Sequence, residues 1–127
     1  MIILDTNMIL RILVDDNPEQ AEQAENIINN NRVLILPEVA SEVIYVMSKV
    51  YKIERAVIAS SLLNMLTLDN VDTSCGNVLN RGLQLYRDTS LDFVDCLLAA
   101  YHSEENYDIC TFDKKLQKLI ERVDLEK

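Results

Sequence analysis

The sequence predicts an α/β domain of three layers, with helices on both faces of a central, mostly parallel sheet. Three observations carry this. Short continuous apolar runs, Ile2-Ile3-Leu4, Val33-Leu34-Ile35-Leu36 and the run inside Asp108–Phe112, have the length of strands buried on both faces. Stretches with helical apolar spacing alternate with them. Only two glycines and two prolines in 127 residues leave few, short loops, so helix dominates.

In chain order, Ile2–Leu4 forms the first strand, and Met8–Val14 packs on the sheet as a helix or tight turn. Asp15-Asp16-Asn17-Pro18 breaks the chain. Asn17 as N-cap, Pro18 at the first helical position and Gln20 three residues on then start a helix. Its buried stripe is Ala21, Ala24, Ile27 and Ile28, and it ends in Asn29-Asn30-Asn31. Val33–Leu36 is the second strand, stopped by Pro37. The following helix carries Val39, Val43, Val46, Met47 and Val50 on one face, with Glu38 and Glu42 one turn apart on a neighbouring face. A helix over Glu54–Leu66 is apolar on much of its circumference. Val71-Asp72-Thr73 is a short edge strand, and Gly76–Arg87 is helical. Phe93–His102 forms a helix with Ser90 or Asp92 as its cap and with Asp92 and Asp95 sharing a face near its start. Asp108–Phe112 is expected as a strand ending at Asp113, where a last helix through Ile120 begins. Arg122-Val123-Asp124-Leu125 is expected to add an edge strand.

The 127 residues, 49% of them hydrophobic, are expected to form one domain, residues 1–127, with a substantial core. No apolar stretch reaches the ~18 residues of a membrane span and no basic-then-apolar signal segment opens the chain, which points to a cytoplasmic protein without a membrane partner. Cys75, Cys96 and Cys110 are odd in number, far apart and set in apolar context, so they read as buried thiols. With 21 acidic against 12 basic residues the net charge is −9, which disfavours gripping nucleic acid by bulk charge. A metal-dependent nuclease survives that test, because a metal site is itself acidic. No glycine-rich phosphate loop is present, which removes P-loop and dinucleotide-cofactor readings.

Acids stand where such sheets collect ligands, just beyond the carboxyl ends of strands. Asp5 ends the first strand, Glu42 lies in the helix after the second, Asp92 and Asp95 open a later helix, and Asp113 ends the late strand. Taken singly, each has a plain alternative. Asp5, Asp92, Asp95 and Asp113 could cap helices, and Glu42 could be one acid on a solvated face. Taken together, several carboxylates at one sheet edge repel and protonate unless a divalent cation compensates. Hard oxygen ligands favour Mg²⁺ or Mn²⁺, which accept substrate phosphate oxygens and supply hydroxide for in-line attack on a phosphodiester. The lone His102 reads as a capping or packed side chain.

The opening IILDTNMIL, the acid of ASEVIYV, the DFVDCLLAA helix and the closing TFDKKL together resemble PIN-domain ribonucleases. The similarity is greatest to the VapC-type toxins of type II toxin–antitoxin systems, and it covers nearly the whole chain. The resemblance implies a PIN-like fold and a divalent-metal-dependent endoribonuclease that hydrolyses an RNA phosphodiester by metal-activated water. It implies Asp5, Glu42, Asp95 and Asp113 as catalytic and metal-ligand acids. Thr6, Asn7 and Thr111 would be polar support, and Asp92, one turn before the matched acid, a supporting group. Glu42 matches the family position better than Glu38. A homodimer and a cognate antitoxin are implied as well, with the apolar residues Val46, Met47, Val50, Leu62 and Leu66 as candidates for either contact. With the chain at −9, RNA contacts would fall to locally placed bases such as Arg11, Lys49, Lys52, Lys114 and Lys115.

Two other enzyme or signalling classes fail on particular residues. A phospho-receiver domain needs an aspartate ending the middle strand, where Pro37 follows Leu36, and a lysine ending a late strand, where Thr111-Phe112-Asp113 stands. A haloacid-dehalogenase-type phosphatase needs a second acid two residues after Asp5, where Asn7 stands. The alternative from a different class is a non-catalytic PIN-like protein-interaction module.

Overall fold

The computed structural model describes residues 1–126. Strands β1 (Ile2–Ile3), β2 (Val33–Ile35) and β3 (Val71–Thr73) form one parallel sheet in that order, with Ile2 opposite Val33 and Ile35 opposite Thr73. Among the described residues seven helices accompany it: α1 (Thr6–Leu13), α2 (Pro18–Asn30), α3 (Pro37–Lys49), α4 (Arg55–Leu66), α5 (Val78–Asp88), α6 (Phe93–Glu105) and α7 (Lys114–Leu125). This is the mixed α/β class expected, consistent with three layers.

Parallel neighbours need long crossovers, and the helix pairs α1–α2 and α3–α4 supply them. On the central strand Val33 and Ile35, which share one face, are fully buried and Leu34 on the other is half-buried, whereas Ile2 and Ile3 of the edge strand β1 are exposed, so that run is not the strand buried on both faces that was expected. The α2 start follows its local signal: the Gln20 backbone N–H donates to Asn17 Oδ1 at 3.1 Å, with Pro18 first in the helix. The inner stripe of α2 is narrower than expected, Ala24 and Ile28 being buried while Ile27 stays exposed.

Helices α5 and α6 approach closely at Gly82. A Cβ there would stand 3.3 Å from Leu97 Cδ1 and 3.5 Å from Leu97 Cα. An alanine fits if the Leu97 side chain gives slightly, and its better helix propensity offsets that shift. Gly82→Leu overfills the seam and is expected to lower stability by roughly 1–3 kcal/mol, read by urea unfolding, with Gly82→Ala close to neutral.

Four further expectations are corrected. Asp108–Phe112 is not a strand: Ile109 is half-buried against the core, but Phe112 is fully exposed and no backbone bond joins the segment to β1. Local bonds hold it at the α7 start instead, since the Asp113 N–H donates to Thr111 Oγ1 and the Gln117 side chain donates to the Thr111 carbonyl. Arg122–Leu125 continues α7, because Leu116, Leu119 and Val123 recur at helical spacing on its buried side. Met47 and Leu62 are 1% exposed and belong to the core, so neither can line a docking groove; Val50 is exposed, and Val46 and Leu66 are half-buried. Of the three thiols only Cys96 is buried; Cys75 is intermediate, Cys110 is exposed and none is in a disulfide. Among the described residues no helix is long and apolar enough to cross a membrane.

Candidate active site

Asp5 sits at the β1 exit as the N-cap of α1, its Oδ1 accepting the Met8 backbone N–H at 2.9 Å. Capping and site membership are compatible here, because Oδ2 is left over. One residue on, the Thr6 hydroxyl donates to Glu42 Oε2 at 3.1 Å. That bond joins the first turn of α1 to the second turn of α3, residues far apart in the chain, and places the Glu42 carboxylate beside Asp5's neighbour. Glu38 goes elsewhere: it lines the seam between α3 and α6 with Ser41, Val94 and Leu97, and its charge is felt by Tyr101. The preference for Glu42 thus has a structural counterpart.

A second acidic group forms where α6 and α7 begin. Asp95 lies in the first turn of α6, half-buried, and its carboxylate accepts no hydrogen bond among the described residues. Burial pushes its carboxyl above the usual aspartate value, and the negative charges of Asp113 and then Asp92 push it further in the same direction. Asp113 caps α7, with Oδ1 accepting the backbone N–H groups of Lys115 at 2.8 Å and Leu116 at 3.1 Å. Asp92 occupies the α6 N-cap position without a capping bond from its side chain.

Every one of these donors is a hard carboxylate or hydroxyl oxygen, and no cation neutralises Asp95. Among the described residues no three His, Cys, Asp or Glu side chains stand close enough together to hold an ion between them. That geometry argues against a closed all-protein cage. What the residues present do fit is the donor type, since their oxygens are hard ligands of the kind magnesium-type ions take.

Of the supporting residues, Thr6 is engaged with Glu42, and Thr111 is bonded to the α7 start. Asn7 is exposed and makes no hydrogen bond among the described residues. His102 lies outside the acidic groups, its Nδ1 2.7 Å from the Tyr107 carbonyl and its Nε2 2.8 Å from Asp124 Oδ1, in the packed role expected of it. Arg11 is not available to a ligand, since it pairs with Asp16 at 2.7 Å and donates to the Tyr51 hydroxyl.

Sequence reasoning passed over Arg55. Its Nε donates to the Tyr86 carbonyl at 2.8 Å, its Nη2 donates to the Leu91 carbonyl, and its guanidinium lies 3.8 Å over the Tyr86 ring. It thereby ties the end of α5 to the residue before Asp92. The only signal for it is a lone cation opening a helix that is otherwise apolar or neutral.

A family model described as PIN domain matches residues 2–121. No curated protein and no solved structure gives a significant match to the chain.

Proposed function

The chain belongs to the PIN-domain family, and from that premise we propose that it is a divalent-metal-dependent endoribonuclease, the toxin of a toxin–antitoxin pair. PIN domains are generally nuclease domains, which supports the nuclease part directly. The RNA substrate and the toxin role rest on the motif resemblance, and the observation that supports metal dependence is Asp95: a half-buried, unpartnered carboxylate facing the charge of two further acids, Asp113 and Asp92. A fold gains nothing from such an arrangement. A site that attracts a cation and handles a proton does.

In this reading Asp5, Glu42, Asp95 and Asp113 would hold Mg²⁺ or Mn²⁺, reaching it in part through the ion's own waters, since no three of them stand together in the fold. When bound, the ion polarises the phosphodiester and makes water a better nucleophile. The chain's own part is positional. Asp5 and Asp113 each fix one oxygen by capping a helix and keep Oδ2 for the ion or its waters. Thr6 aims the Glu42 carboxylate. Asp95 makes no hydrogen bond among the described residues, so its carboxylate would be available to the ion and to the attacking water. The water oxygen would bond to phosphorus as the P–O3′ bond breaks, one water proton passing to a carboxylate and the departing O3′ taking a proton from solvent water, leaving a 3′-hydroxyl and a 5′-phosphate. Dimer and antitoxin contacts fall to the exposed Val50 and half-buried Val46 and Leu66.

Thermal melting with and without MnCl₂ tests the ion's place in this reading. A ligand of the native state raises the melting temperature, so wild type is expected to gain several degrees and Asp95→Asn to gain little. Equal behaviour of the two proteins at millimolar ion would favour the interaction-module alternative.

A further inference from the structure

The chain's ion pairs single out where a polyanion can be held. Among the described residues Arg11, Arg32, Arg81, Arg87 and Arg122 are all paired with carboxylates. Among the described residues the lysines and arginines outside ion pairs fall in two places: Lys49, Lys52 and Arg55 around the α3–α4 corner, and Lys114, Lys115 and Lys118 on the first turns of α7. The two groups flank the Asp92–Asp95–Asp113 acids.

Lys49 and Arg55 of the first group line a cavity of about 420 Å³ between α3, the α4 start and the α6 start. Ser41, Tyr45, Ser48 and Lys49 present one helical stripe of α3 to it, at i, i+4, i+7 and i+8. None of these four side chains makes a hydrogen bond or ion pair among the described residues, so the fold itself makes no use of that polar wall. Tyr45 is 64% exposed, an aromatic ring left open to solvent beside a cation. Opposite, Arg55 is held in place by the Tyr86 and Leu91 carbonyls and the Tyr86 ring, with Nη1 making no hydrogen bond among the described residues. Asp92, one turn before Asp95, lines the same cavity and links it to the acids at the α6 start.

We propose that this cavity is a subsite for one nucleotide of a single-stranded substrate, its phosphate between Lys49 and Arg55 and its base stacked on Tyr45. The volume is that of a small-ligand site. An aromatic face with adjacent cations is the combination that holds single strands, whereas a base inside a duplex offers no free face to Tyr45. The inference rests on the nuclease reading and adds the place where the strand beside the scissile bond is gripped.

Fluorescence anisotropy of a labelled single-stranded RNA, in EDTA so that nothing is cleaved, tests it across a salt titration. Tyr45→Ala is expected to weaken binding about fivefold or more at every salt concentration, since stacking is insensitive to screening. Lys49→Ala is expected to weaken it and to reduce the salt slope by about 0.7, the loss of one phosphate contact on a single strand. Arg32→Ala, which removes a cation already paired with Asp72, should leave affinity unchanged. Wild-type affinity and salt slope in both Tyr45→Ala and Lys49→Ala would overturn the subsite. Failure of the nuclease reading shows separately, as RNA cleavage by wild type that Asp5→Asn does not reduce.

Discussion

Asp95→Asn is expected to lower RNA cleavage by about 100-fold or more and, in the absence of divalent ions, to raise the melting temperature at neutral pH. The sign follows from the carboxyl's environment. Burial, Asp113 and Asp92 all raise its proton affinity in the folded chain above the ordinary value of 3.8. A group that binds its proton more tightly when folded weighs nothing against the fold below the unfolded value. Its ionisation then opposes folding increasingly as pH rises through the folded value. Asparagine removes that opposition at about pH 7, and the advantage shrinks toward about pH 4. Saturating Mn²⁺ should reverse the order of the two proteins, because only wild type then gains a stabilising ligand. Melts in EDTA and in MnCl₂ at both pH values read all of this, and an asparagine variant that melts lower than wild type in EDTA at neutral pH would contradict it.

Arg55→Met carries the largest expected loss of stability. It leaves the Tyr86 and Leu91 carbonyls without their charged donor and removes the cation from the Tyr86 ring. Together these amount to on the order of 3 kcal/mol, or on the order of 10 °C in melting temperature. Arg55→Lys recovers only part, since an ammonium cannot span both carbonyls as a planar fork does. A second readout is independent of unfolding. Burial raises the Tyr86 hydroxyl and the Arg55 charge opposes the rise, so its removal should shift the Tyr86 titration upward in an ultraviolet pH titration. Cleavage should fall as well, because Leu91 immediately precedes Asp92.

Where structure is decided within a few residues, it was legible in the sequence. Asn17, Pro18 and Gln20 specify the α2 start by themselves, and the runs at Ile2, Val33 and Val71 are the three strands. Where two remote segments decide together, it was not. Asp108–Phe112 has strand composition, yet bonding through Thr111 and Gln117 holds it at α7 and leaves β1 as an edge. Met47 and Leu62 lie on helices apolar around much of their surface, where periodicity alone does not distinguish the core side from a docking side.

The candidate site divides the same way. Asp5, Asp92, Asp95 and Asp113 were identifiable by their positions at element ends, and Glu42, inside α3, by the motif resemblance. That Thr6 selects Glu42 rather than Glu38 depends on how α1 and α3 meet, and the Asp95–Asp113 proximity depends on the path from α6 into α7. Arg55 left almost no trace in the sequence because its partners are backbone carbonyls, which every residue carries. Lys49, Lys52, Lys114 and Lys115 were legible as local cations, whereas the pairing of Arg11 with Asp16 and the placement of Arg55 depend on remote contacts.

The most direct measurement of the central claim is the cleavage of single-stranded RNA by purified wild type and Asp5→Asn, each assayed in Mn²⁺ and in EDTA. Cleavage by wild type in Mn²⁺ alone, with products bearing 3′-hydroxyl and 5′-phosphate ends and Asp5→Asn slower by about 100-fold or more, is the predicted result. Equal cleavage by the two proteins, or wild-type cleavage undiminished by EDTA, would contradict it.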